Sequence, residues 1–304
     1  MFKFTTMPSE VWAFDMEWVP DCRAGELYLG IEEPLSTSDI FNKLWVAHGA
    51  TVENPQPFLP SCLSQIVSIA VVIRRVEPYG KGVTLKAGRT LCRTLPEEKQ
   101  LIDRFLTEAG VRSPLLVGFG SFKADQPTLI QRALVHGISA PQFCARPEKP
   151  WLGRDYFNQH GEGLVDIYQE LTMHASMKGP SLAKMSAMCG IPGKIGIDGS
   201  QVANIFLQGG LESIGDYNLA DAMSTYLLFL RMCHLSGILD NANYLTEQMR
   251  LLSEVLEIVE RRKSQFLKSF VVEWYRLQRK LETQLVTAFP DWAKANIQDL
   301  ESHR

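Results

Sequence analysis

The chain has 304 residues, 45% hydrophobic and 21% charged, with a formal net charge of −3. That length allows one large domain, or a domain with an extension, and a core that needs no disulfide staples. The charge balance shows no overall basic bias of the kind that advertises nucleic-acid binding, although acidic ligands can mask local basic residues, and the longest apolar runs, Ile66–Ile73 and Leu227–Leu230, fall far short of the ~20 residues that span a bilayer.

Val11-Trp12-Ala13-Phe14-Asp15-Met16-Glu17-Trp18-Val19 reads as a short apolar strand carrying two acids. Side chains at i and i+2 share a face, so Asp15 and Glu17 sit side by side. Unpaired, they repel and push one pKa up. A divalent cation between them removes the repulsion, and hard oxygen ligands suit Mg²⁺ or Mn²⁺. On its own the pair is also consistent with a solvated strand end.

Pro20-Asp21-Cys22 reads as a turn, and residues 23–60 as irregular apart from a short helix over Ser38–Trp45 that starts at Ser38. Gln65–Arg74 is a β-branched central strand and Val83–Leu91 an edge strand. Pro96 opens a helix to Ala109, Leu115–Phe119 is another strand, and Pro127 begins a helix to His136 closed by Gly137. Val165–Ile167 is a short strand, with Asp166 capping a helix over 167–174. Ser181 caps Leu182–Cys189; the glycine-rich loop 191–200 leads to helices over Gln201–Leu207 and Leu211–Leu235. Residues 244–288 form one or two long helices with a locally basic middle, either packed on the main domain or a partner helix, or touching nucleic acid. The pattern implies an α/β mixed sheet with an antiparallel edge strand and helices on both faces. The division is a domain over 1–238 and a helical C-terminal extension over 239–304.

Cys22, Cys62, Cys92, Cys144, Cys189 and Cys233 form no C-x-x-C and no zinc-type cluster. They read as reduced thiols of a cytoplasmic protein, and Met1–Thr6 lacks a signal-peptide apolar region. No membrane contact is expected.

Three further polar positions are informative. Asp125 lies between the end of the Leu115–Phe119 strand and the following helix, where ligands gather in open α/β sheets. Tyr217 and Asp221 are one turn apart on one face of a late helix. In chain order the residues are D-x-E on the first strand, an Asp before a middle helix, and Y-x-x-x-D on a late one.

This ordered set resembles the DEDDy 3′–5′ exonucleases of the ribonuclease H-like fold, and more narrowly the predicted exonucleases related to the proofreading domain of family B DNA polymerases. The matching stretches are Phe14–Glu17, Phe119–Leu129 (FGSFKADQPTL) and Tyr217–Asp221 (YNLAD), with Phe58-Leu59-Pro60, Gly190–Lys194 and Gly196–Val202 also similar, over roughly residues 10–240. The chain departs from the family at Gly120, where Asn is expected, at Ala124, where Phe is usual, and at Asn218 and Ala220 in place of Cys and Thr. The resemblance implies a ribonuclease H-like fold and hydrolysis by two divalent cations, Mg²⁺ or Mn²⁺. Asp15, Glu17 and Asp221 would hold one cation, Asp15 would be shared with the second, Asp125 would support that one, and Tyr217 would orient the attacking water. Neither Asn218 nor Ala220 is expected to be a ligand. The substrate would be a nucleic acid with a free 3′ end, single-stranded DNA before RNA, and the product nucleoside 5′-monophosphates.

Other residues carry two readings. Lys194 and its glycines either touch a phosphate backbone or form a plain loop. Phe122 could stack on a terminal base, whereas Phe119 fits the core better. Asp166 is a cap rather than a ligand, Arg154 and Tyr156 are candidates for the groove, and His48, His136, His160 and His174 fit surface or core roles. The competing function is a non-cleaving nuclease-like module that binds nucleic acid, or a protein partner or second copy through the C-terminal helices.

Overall fold

The first strand organises the molecule, a computed structural model that describes residues 4–149, 152–174, 176–193, 195–281 and 289–302. Along β1 (Glu10–Pro20) the side chains alternate. Val11 and Ala13 join one buried core, while Trp12, Phe14 and Met16 join a second on the opposite face. β2 (Ser64–Val76) pairs antiparallel with β1, and β3 (Val83–Leu91) antiparallel with β2. β4 (Leu115–Gly118) and β5 (Leu164–Asp166) add in parallel on the other side, giving the order β3-β2-β1-β4-β5. This is a ribonuclease H-like mixed sheet with an antiparallel edge strand, as expected. The β1–β2 register slips between Glu17, opposite Ser68, and Trp18, opposite Ile66, so Val67 is the extra residue of a bulge beside the acids. Bulges bend a strand and re-aim its side chains.

Helices cover both faces. α3 (Leu95–Arg112), held by a Thr94/Glu97 capping box, and α4 (Asp125–Val135) pack on the Trp12–Phe14 side. α4 starts at Asp125 rather than Pro127, so Asp125 stands in its first turn. A buried ion cluster fixes α4. Arg132 donates to Glu98 at 2.8 and 2.6 Å and lies 2.9 Å from Asp21, while the His136 ring lies 2.7 Å from Glu98.

α8 (Leu211–Leu235) lies across the other face, where the small side chains of Ala13 and Ala70 let it approach. It is buried on nearly every side, as a helix inside a core must be. α9 (Asn241–Arg262) and α10 (Gln265–Lys280) lie over it, and their Val255, Phe270 and Trp274 share one core with Val11 and Ala13. Lys263 in the left-handed region (φ 52°) and the Ser264 cap separate the two helices. The part of the expected 244–288 helix at 282–288 lies outside the described residues. α11 (Asp291–Ser302) was not foreseen.

Smaller elements depart from the sequence reading. Asp21 caps α1 (Cys22–Leu27), where irregular chain was expected, and α2 (Thr37–Ala47) is capped by Ser36, not Ser38. α5 (Ile167–Leu171) is shorter than expected and is followed by left-handed Met173 and His174. α6 (Leu182–Met188) and α7 (Val202–Leu207) lie where expected. No described helix is long and apolar enough to cross a membrane, and none of the six cysteines is paired.

Candidate active site

Asp15 and Glu17 continue the Val11–Ala13 row, so they face α8 rather than α3. Tyr217 and Asp221 come down from α8 onto the end of that row. One oxygen each of Asp15, Glu17 and Asp221 lies within 4.8 Å of the others, and all three residues are half-buried. Ligand oxygens around one hard cation stand about 2.0–2.6 Å from it, hence at most about 5 Å from each other. The three carboxylates therefore fit a Mg²⁺ or Mn²⁺ ion in donor chemistry and in reach. Burial raises the Asp15 carboxyl well above the usual range, with the charges of Asp125, Asp221 and Glu17 adding and the Asn218 amide opposing. Burial, then Asp221 and Asp125, raise Glu17 likewise. A cation would relieve what the protein alone leaves repulsive.

Asp125 is buried at the start of α4 and faces the triad electrostatically without belonging to the close group of three. Burial pushes its carboxyl up to about 7, against the backbone N–H groups of Asp125 itself and Met16 and the Ser121 hydroxyl. Tyr217 is driven far above its usual range by burial first, then by Asp221, Glu17 and Asp15, so its phenol keeps its proton.

The turn before Asp125 is tied down from β5. Asp166 caps α5, as expected, accepting from Tyr168 N–H at 3.0 Å. The same carboxylate also accepts from Gly120 N–H at 2.8 Å and Phe122 N–H at 3.0 Å, a role the sequence did not reveal. Phe122 is partly buried and lines a cavity with His160 and His174, whose ring centroids are 4.7 Å apart. Lys194 lies outside the described residues. Its neighbour Gly193 is explained by packing, because a Cβ there would stand 2.5 Å from the Ala183 carbonyl oxygen. Arg154 and Tyr156 both make scaffold contacts. Arg154 donates to the Ser113 carbonyl at 3.0 Å and Tyr156 to the Pro114 carbonyl at 2.9 Å, with its ring stacked on Phe143.

Two residues were missed. Asn218, set aside as a non-ligand, donates from Nδ2 to Asp15 Oδ2 at 2.7 Å, and Ser68 Oγ donates to Asn218 Oδ1 at 2.7 Å. A single Ser in the run QIVSIAVVIR, opposite Glu17, is the only sequence-level hint of this.

A family model described as "Predicted 3′-5′ exonuclease related to the exonuclease domain of PolB" matches residues 56–274. The match includes Asp125, Tyr217, Asp221 and α9, and begins after the strand that bears Asp15 and Glu17. No curated protein matches the chain. Among solved structures, the family B DNA polymerase from the hyperthermophilic archaeon Pyrobaculum calidifontis is similar at 16% identity and a TM-score of 0.37, over 84% of this chain and 29% of that one. The chain thus spans less than a third of the polymerase's length.

Proposed function

The chain belongs to the family of predicted 3′–5′ exonucleases related to the exonuclease domain of PolB, and on that premise we propose that it trims single-stranded DNA, and secondarily RNA, from the 3′ end as a DEDDy-type enzyme dependent on two divalent cations. The observation that carries this reading is the convergence of Asp15, Glu17 and Asp221 oxygens to within 4.8 Å of one another beside Tyr217.

Asp15, Glu17 and Asp221 would hold Mg²⁺ or Mn²⁺, with Asp125 supporting from the head of α4. The cations, when bound, supply Lewis-acid stabilisation of charge on the phosphate oxygens and a more acidic water. The rest falls to the chain. Tyr217, protonated, can donate a hydrogen bond and orient water, but cannot act as a base at neutral pH. The Asp166-anchored turn presents Phe122 to a terminal base and holds Asp125 in place. Water adds to phosphorus as the bond to the preceding 3′ oxygen breaks, giving a nucleoside 5′-monophosphate and a strand with a new 3′ hydroxyl.

The test is one gel: 5′-labelled single- and double-stranded DNA and RNA, with Mg²⁺ or Mn²⁺, wild type beside Asp15→Ala. Metal-dependent shortening by wild type and none by the variant supports the reading. Absence of shortening under every condition, or full activity in the variant, refutes it.

A further inference from the structure

We propose that Asn218 is a positioning residue for the acidic triad, an amide relay from Ser68 that fixes how Asp15 presents its carboxylate to a divalent cation. This rests on the proposed metal-dependent reading of the site.

The relay joins two buried groups to the half-buried Asp15. Asn218 and Ser68 are both fully buried (0% exposed), one on the sheet-facing side of α8, the other on β2 directly opposite Glu17. Ser68 Oγ to Asn218 Oδ1 and Asn218 Nδ2 to Asp15 Oδ2 are both 2.7 Å. The amide direction is dictated by chemistry. An ionised carboxylate only accepts, so the NH₂ must face Asp15 and the oxygen must face a donor. Ser68 supplies that donor with its single O–H. The bond to Asp15 is charge-assisted, and a hydroxyl donating to the amide oxygen polarises the amide further in the same sense.

Three consequences follow. The amide occupies one lone pair of Oδ2 and fixes the plane of the carboxylate, leaving the other lone pairs to a cation. It stabilises the charged form of Asp15 inside a cluster where burial and three other acids oppose that form. It also links the two strands of the bulge to the helix that carries Tyr217 and Asp221, so β1 and α8, which supply the triad, share one hydrogen-bonded brace with β2. Outer partners of this kind typically change metal affinity 10- to 100-fold when removed.

The experiment is calorimetric Mn²⁺ titration of the full chain, with thermal melts of each metal-free protein to verify folding. Asn218→Leu, alike in heavy-atom branching though bulkier, removes both bonds. Ser68→Ala removes only the remote one and touches no proposed ligand. Expected are an affinity about 10- to 100-fold weaker for Asn218→Leu, a smaller weakening for Ser68→Ala, and no further loss in the double variant. Asn218→Ser, which restores an O–H donor, should recover part of the loss. If Asn218→Leu does not fold, a several-fold weakening in folded Ser68→Ala supports the relay and a wild-type affinity there overturns it. Folded Asn218→Leu with wild-type Mn²⁺ affinity overturns the relay alone. Failure of wild type to bind Mn²⁺ overturns both the relay and the metal-dependent reading.

Discussion

The backbone N–H of Gly120 donates to the Asp166 carboxylate at 2.8 Å, joining the end of β5 to the turn that delivers Asp125. Asp166 is buried and also receives Phe122, Tyr168 and Gln169 N–H groups, so one side chain caps α5 and anchors the turn. Asp166→Ala should lose a cap and two hydrogen bonds to a charged acceptor, a destabilisation on the order of 3 kcal/mol. Urea unfolding reads this directly. A loss under about 0.5 kcal/mol, the scale of an ordinary surface change, would show that the turn is held by something else.

Gly120 itself sits at φ +75°, with nothing within 4 Å of where a Cβ would stand. The position is therefore limited by backbone conformation, not by space. Asn is among the side chains that tolerate this region, which explains how Gly and the family's Asn can share one turn. Gly120→Asn should fold with a stability within about 1 kcal/mol of wild type, whereas Gly120→Val should cost more, on the order of 2 kcal/mol. If the missing Asn weakens the groove, Gly120→Asn should also raise kcat/KM on single-stranded DNA several-fold. A folded Gly120→Asn with lower kcat/KM would remove the groove from the explanation.

The acid cluster predicts an inverted pH response for the metal-free protein. Asp125 titrates at about 7 in the fold, against about 4 for a free Asp, and Asp15 and Glu17 are raised as well. The native state then binds more protons than the unfolded chain between those values. Stability is full below the unfolded pKa and falls as pH rises through the folded one. Metal-free protein should therefore melt higher at pH 5 than at pH 8, by an amount on the order of 2 kcal/mol. Asp125→Asn should flatten that slope. Mn²⁺ should raise the melting temperature more at pH 8, where protons no longer compete for the ligands. A metal-free melting temperature that climbs steadily from pH 5 to pH 8 contradicts the charge state assigned to the cluster.

What the sequence discloses and what it hides divide along physical lines. The alternation of Val11, Ala13, Asp15 and Glu17 against Trp12, Phe14 and Met16 is a period of two, visible without any partner, and it assigned the acids to one face. The 25-residue helix from Leu211 to Leu235 was legible end to end because it is long and strongly apolar. α1 was not, since six residues with Gly25 among them carry too little pattern against irregular chain. The Asn218–Asp15 bond joins positions 203 apart in sequence, and nothing local at Asn218 marks it. Asp166 was legible as a cap from its spacing to Gln169. Its bonds to Gly120 and Phe122 depend on β5 lying beside β4, a tertiary fact.

Tyr217 offers the sharpest separation of roles within the site. Its partly buried phenol lies beside Asp221, Glu17 and Asp15, all of which oppose loss of its proton. A protonated phenol donates a hydrogen bond and can hold a water in line, but it cannot accept that water's proton at neutral pH. Tyr217→Phe removes one donor and little volume, so the fold should change by about 1 kcal/mol or less. Turnover should drop about 100-fold, the scale of losing one well-placed donor. Mn²⁺ binding should persist, weakened only by loss of the phenol's hydrogen bond to Asp221, because the ring itself is not a ligand. The pH profile of wild-type kcat should show no alkaline rise that the variant lacks. A rise in kcat through pH 9–10 that is absent from the variant would mean that the phenolate is the working form, and abolished Mn²⁺ binding would place Tyr217 among the groups that hold the cation.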